Sequence, residues 1–137
     1  MDYTLQFDPK HRVLLITLGK VVTEASASAA YAAVERFVAD EGPCSGIADL
    51  SAVERADVHG YFVRSLASRP RAIPAGMPLI LVAPGIVVYG LSRMYQLLRD
   101  ETEGYRIVHT REEAFALLSV EPRDFMAVST DCLVAAH

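Results

Sequence analysis

A chain of 137 residues with 13 basic and 17 acidic side chains is long enough for one domain with its own core. Its formal charge of −4 makes free nucleic acid a poor partner. Hydrophobic residues make up 52% of it, yet nowhere do the roughly 20 apolar residues of a bilayer span run together, so no membrane insertion is expected.

That apolar excess calls for a covered surface, either a subunit interface or a ligand cleft. Met1-Asp2-Tyr3 has neither the basic start nor the apolar run of a secretory leader. Cys44 and Cys132 form no CxxC pair. Both features suit a reducing, cytoplasmic setting.

Tyr3 to Phe7 alternates apolar and polar residues, which predicts a half-buried strand. Asp8-Pro9-Lys10-His11 is a turn, and Arg12 to Leu18 a second strand antiparallel to the first. Thr23 is positioned to cap a helix with Ala27, Ala30, Tyr31, Val34, Phe37 and Val38 on one stripe, stopped by Gly42-Pro43. Cys44 to Leu50 suits a buried parallel strand. Asp57 is the expected cap of a second helix, in which Val58, Phe62 and Leu66 share a face before Pro70 ends it.

Met77 to Ala83 is apolar on both faces and is expected at the centre of the sheet, almost fully buried. A third helix follows from about Ile86 to Arg99, with Val87, Leu91, Met94 and Leu98 as its core stripe. Tyr105 to His109 forms the last strand. Thr110 and Glu113 then make a capping box for a fourth helix carrying Phe115 and Leu118. The order is ββαβαβαβα, an α/β fold with a mixed, mainly parallel sheet flanked by helices. Residues 1–120 form the domain. Residues 121–137, with Phe125, Met126, Val128, Leu133 and Val134, are too apolar for a solvated end and are expected to pack on the domain or on a partner subunit.

Two stretches give this order a family resemblance. Gly46 to Gly60 (GIADLSAVERADVHG) is similar to the strand, loop and helix start of the STAS domains, the fold of anti-sigma-factor antagonists. Tyr89-Gly90-Leu91-Ser92-Arg93-Met94-Tyr95, followed by Ile107 to Thr110 and Glu113-Ala114, resembles the SpoIIAA-like group of uncharacterised bacterial proteins. The likeness covers residues 3–118 and implies a STAS-like fold. It also marks a departure. Where antagonists place a phosphorylatable serine after the aspartate, this chain has Asp57-Val58-His59-Gly60, and Val58 has no hydroxyl to esterify.

Asp49, Ser51 and His59 hold the atom types of a nucleophilic triad, but no G-x-S-x-G elbow accompanies them and loop or cap roles explain them equally. Asp57 and His59 are two candidate metal ligands and define no site; His11, His109 and His137 lack ligand spacing. No phosphate-cradling glycine loop occurs, so nothing implies a cofactor. Arg55, Arg64, Arg69 and Arg71 make one segment locally basic.

Ile86, Val88, Tyr89, Tyr95 and Leu97 leave the third helix apolar nearly all round, so something must cover it. The sequence therefore predicts a non-enzymatic interaction or regulatory module, a homodimer, with no switch at position 58. The alternative is a binder of a small apolar or acidic molecule at the carboxyl ends of the strands. The candidate contact residues are Ser51, Asp57, His59, Tyr89, Arg93 and Tyr95.

Overall fold

The structure, a computed structural model, describes residues 2–99 and 104–128. Strands β1 (Tyr3–Asp8) and β2 (Val13–Leu18) form the expected antiparallel hairpin, with Tyr3 opposite Leu18 and Asp8 opposite Val13. Asp8 makes the turn: its Oδ1 accepts the backbone N–H groups of Lys10 and His11 at 2.9 and 3.1 Å. A short strand β3 (Val21–Thr23) leads into α1 (Glu24–Glu41). Thr23 caps that helix as expected, its hydroxyl accepting from the Ser26 N–H while the Ser26 hydroxyl accepts from the Thr23 N–H. Gly42, at φ 99°, ends it in a conformation that side chains disfavour.

Next come β4 (Ser45–Asp49), β5 (Arg55–Asp57), α2 (Gly60–Ser68), β6 (Leu79–Val82), α3 (Ile86–Arg99), β7 (Tyr105–Val108), α4 (Arg111–Leu118), a 3-10 turn (Pro122–Asp124) and β8 (Met126–Ala127). Six strands make one sheet in the order β7-β6-β4-β2-β1-β8. β2, β4, β6 and β7 run parallel, whereas β1 and β8 are antiparallel to their neighbours. The α/β class and the mixed, mainly parallel sheet flanked by four helices stand as the alternation implied.

Three strands were not anticipated. β3 and β5 pair in parallel as a separate two-stranded ribbon, and β8 extends the sheet beyond β1. At two or three residues each, they are too short to show a period. The ribbon corrects one assignment. Asp57 is held extended opposite Thr23 and does not cap α2; that position falls to His59, which makes no side-chain cap bond.

The two faces of the sheet differ. On one, Val13, Leu15, Ile47, Ile80, Val82 and Val108 pack against Ala114 and Phe115 of α4, with Val120 and Phe125 closing the cluster. Phe115 and Phe125 stack at 5.5 Å, so residues 121–128 fold back onto their own domain. Leu133 and Val134 lie outside the described residues. On the other face, Leu5, Phe7, Leu14 and Ile16 pack beneath Val34 and Phe37 of α1.

The Met77 to Ala83 run is interior to the sheet, between β4 and β7, but it is not buried throughout. Ile80 and Val82, facing α4, are buried; Leu79 and Leu81, facing the other way, are only half-buried. The reason lies in what covers them. α2 packs chiefly on α3, and the two helices roof the sheet without filling the space beneath.

Candidate functional site

Beneath that roof is a cavity of about 240 Å³, bounded by α1, α2, α3, the β3–β5 ribbon and the sheet. Its floor follows from strand register. Ile16 of β2, Ala48 of β4 and Leu81 of β6 lie side by side, so a methyl group sits between two large side chains. The walls repeat this pattern: α1 presents Ala27 and Ala30 beside Tyr31, and α2 presents Phe62 and Leu66. Where the floor would otherwise extend, Ile73 fills it. A Cβ on Gly46 would lie 2.7 Å from Ile73 Cγ1, so only glycine fits that point of β4.

The stripe of α3 that faces the cavity is Val88, Leu91, Ser92 and Tyr95, in place of the expected Val87, Leu91, Met94 and Leu98. Val87 is 63% exposed, and Met94 and Leu98 are also exposed. The facing stripe is shifted by about one residue and takes in the buried Ser92, whose polar groups are bonded locally. Its hydroxyl donates to the Val88 carbonyl at 2.7 Å, and its carbonyl accepts the Tyr105 hydroxyl at 3.2 Å.

Tyr31 is the chemically distinctive wall residue. Its hydroxyl is buried and has no hydrogen-bond partner among the described residues. Burial first, then the neighbouring Tyr95 and Glu35, push its pKa above the ordinary tyrosine value, against the opposing pull of Arg99 and Arg69. The Arg69 guanidinium lies 4.8 Å from the Tyr31 ring centroid, Arg99 lies 5.6 Å from that of Tyr95, and Arg71 lines the cavity.

A second, polar depression lies at the carboxyl ends of β2, β4 and β7, lined by Thr17, Asp49, Ser51, His109, Arg111 and Glu112. Asp49 is buried and organises it. Its Oδ1 accepts the Ser51 N–H at 2.9 Å and the Ser51 hydroxyl at 2.6 Å, while its Oδ2 accepts Arg111 Nε at 2.9 Å. Arg111 also donates to the Thr17 hydroxyl at 3.2 Å. The Ser51 hydroxyl is thus turned to the carboxylate, and among the described residues no histidine takes the role of its base.

The six candidate residues do not converge. Ser51 is in the polar depression, and Tyr89 stacks on its neighbour His109 at 5.8 Å. Asp57 is ion-paired to Arg55 at 2.7 Å on the ribbon. His59 stacks on Tyr61 at 5.6 Å, and its N–H donates to the Glu24 carboxylate at 3.0 Å. Arg93 is exposed and donates to Gln96. Only Tyr95 lines the cavity, stacked on Tyr105 at 5.9 Å. Tyr31, Ala48 and Leu81 were not singled out in the sequence as site residues; the signal available was the alanine-rich face of α1.

One further cluster joins the hairpin to the C-terminal turn. His11 Nδ1 lies 2.6 Å from Asp8 and 4.0 Å from Asp124. Both Asp8 oxygens are engaged within the turn, so the three residues, whose ligand atoms would span a cation, serve as a clasp. Among the described residues, no helix is long and apolar enough to cross a membrane. No family model, curated protein or solved structure matches this chain.

Proposed function

We propose that this domain binds a small, largely apolar molecule in the cavity between the sheet and helices α1, α2 and α3. The observation behind the reading is the hollow itself: about 240 Å³ walled almost wholly by carbon, in a chain with ample apolar residues to fill it. A cavity of about 150 Å³ lined by Leu, Ile and Phe already takes up benzene. Small wall residues at Ala27, Ala30 and Ala48 keep the space open. The element order and the residues quoted from 46–60 and 89–114 support a STAS-like (SpoIIAA-like) ancestry, with the ligand in place of a phosphoserine at position 58.

Naphthalene is a suitable probe, being apolar, rigid and small enough. Added in excess, it should raise the thermal midpoint of the wild-type protein. Ala48→Leu, which fills the floor between Ile16 and Leu81, should abolish that rise. A wild-type midpoint indifferent to naphthalene, or one raised equally in Ala48→Leu, sinks the reading.

A second reading, a homodimer serving an interaction role, is favoured by the outer face of α3. Ile86 is 92% exposed at the start of the helix, and Val87, Leu97 and Leu98 are exposed along it. The two readings use opposite sides of one helix and are compatible.

A further inference from the structure

We propose that two copies of this chain pair through an antiparallel crossing of their α3 helices, centred on Gly90. This rests on the homodimer reading of the outer face of α3 and fixes where on that face the copies meet.

The starting point is a glycine that its own chain does not require. Gly90 lies in the interior of α3, where glycine is the poorest helix former after proline. Its φ is not positive, so no left-handed backbone calls for it. A Cβ at this position would meet nothing within 4 Å beyond its own stretch of helix, so no neighbouring segment among the described residues needs the room. Gly46 is the contrast, with Ile73 2.7 Å from the same point. What remains for Gly90 is a close approach to the helix backbone from outside the chain.

Its neighbours show what approaches. Ile86, Gly90, Met94 and Leu98 follow at four-residue spacing and form one ridge along the helix, with Val87 and Leu97 beside it. These five side chains are exposed by 39% to 92%, and none is charged. Gly90 is a notch in the ridge. Ridges of this spacing interdigitate with each other in the commonest helix pairing, crossing at about 50°.

The ridge fits a second copy of itself. A two-fold axis through the notch sets Gly90 against Gly90, and Ile86 of each copy against Met94 of the other. That reciprocity is what an isologous contact demands. Arg93, exposed beside the ridge and bonded to Gln96, falls at the polar rim. A specific contact needs about 1,000 Å² in total, about 500 Å² from each copy. Five apolar side chains exposed to this degree, together with the bare backbone at Gly90, supply a patch of that order.

Sedimentation equilibrium of the full chain as wild type, Gly90→Ala and Gly90→Gln tests the crossing. Both substitutions enter open space in the monomer and favour helix, so cooperative urea unfolding should persist in each. We expect a wild-type dimer at micromolar concentration, weakened about threefold or more by Gly90→Ala and about tenfold or more by Gly90→Gln. Gly90→Ala, the smaller change, decides the matter if Gly90→Gln does not unfold cooperatively. A wild-type dimer that both substitutions leave within about twofold overturns the crossing at Gly90 and leaves the homodimer reading in place. A wild-type monomer removes both.

Discussion

Arg111, the first residue of α4, donates its Nε to the buried carboxylate of Asp49 at the end of β4, 2.9 Å away. The pair ties the last helix to the middle of the sheet, and the Ser51 turn hangs from the same carboxylate. Arg111→Met should therefore destabilise the fold by about 1–2 kcal/mol, less than for a fully buried pair because the arginine is partly in water. Urea unfolding measures it. Adding Asp49→Ala to the first change should cost less than the sum of the two single effects, and strict additivity would show the pair to be uncoupled.

Gly46→Ala tests the packing beneath the cavity. The new Cβ would meet buried Ile73 at 2.7 Å, inside any ordinary carbon contact. We expect a loss of about 1–3 kcal/mol, the usual cost of overpacking. Combining it with Ile73→Val should recover part of that loss; a wild-type midpoint for Gly46→Ala would mean that Ile73 moves freely.

Tyr31→Phe should behave unlike most core changes. Removing a buried hydroxyl with no partner among the described residues leaves the unliganded protein as stable as wild type or more so, by up to about 1 kcal/mol. A loss larger than about 1 kcal/mol in urea unfolding would show that the hydroxyl is satisfied in the free protein.

The hairpin clasp carries a pH dependence. Burial pushes the Asp8 carboxyl up, but the His11 N–H, the His11 ring and the Lys10 N–H together hold it below its ordinary value of 3.8. A carboxyl depressed on folding stabilises the protein at pH values above its unfolded pKa, and that contribution fades as pH falls through the lower folded value. The stability gap between wild type and Asp8→Asn should accordingly be full at pH 6 and shrink below about pH 3.8. A gap unchanged from pH 6 down to pH 2 would remove Asp8 ionisation from the account.

The outer face of α3 supplies a fifth expectation. If it pairs two copies, the contact should bury at least about 1,000 Å² in total, and sedimentation at micromolar concentration should show a dimer. Leu97→Asp, at a residue 66% exposed and off the cavity wall, should shift it to monomer without disturbing naphthalene binding. A wild-type monomer at that concentration removes the dimer and leaves the cavity untouched.

What was legible in the sequence was local. Thr23 as a cap, Asp8 as a turn former and the β1–β2 hairpin each depend on residues within a few positions of one another, so pattern reading reaches them. The cavity was not legible because it is made by register. Ala48 is unremarkable in its strand, and becomes a hollow only when Ile16 and Leu81 arrive on either side from distant segments. Tyr31 read as one more member of an apolar stripe, since burial is visible in periodicity and the lack of a partner is not. Asp57 was misplaced for a related reason: the three-residue ribbon that holds it extended depends on β3, more than thirty residues earlier. On α3, the expected stripe of apolar residues passed over Ser92, whose hydroxyl bonds its own helix and is buried.

The unequal faces of the sheet give this molecule a mechanical polarity. The side under α4 is closed by the stacked Phe115 and Phe125, while the side under α2 and α3 holds the cavity of about 240 Å³. Hydrostatic pressure favours states that eliminate voids, so compression should act first on the roof helices and leave the α4 layer ordered longest. A ligand seated in the hollow would remove that weakness, making resistance to pressure a measure of occupancy that requires no knowledge of what the occupant is.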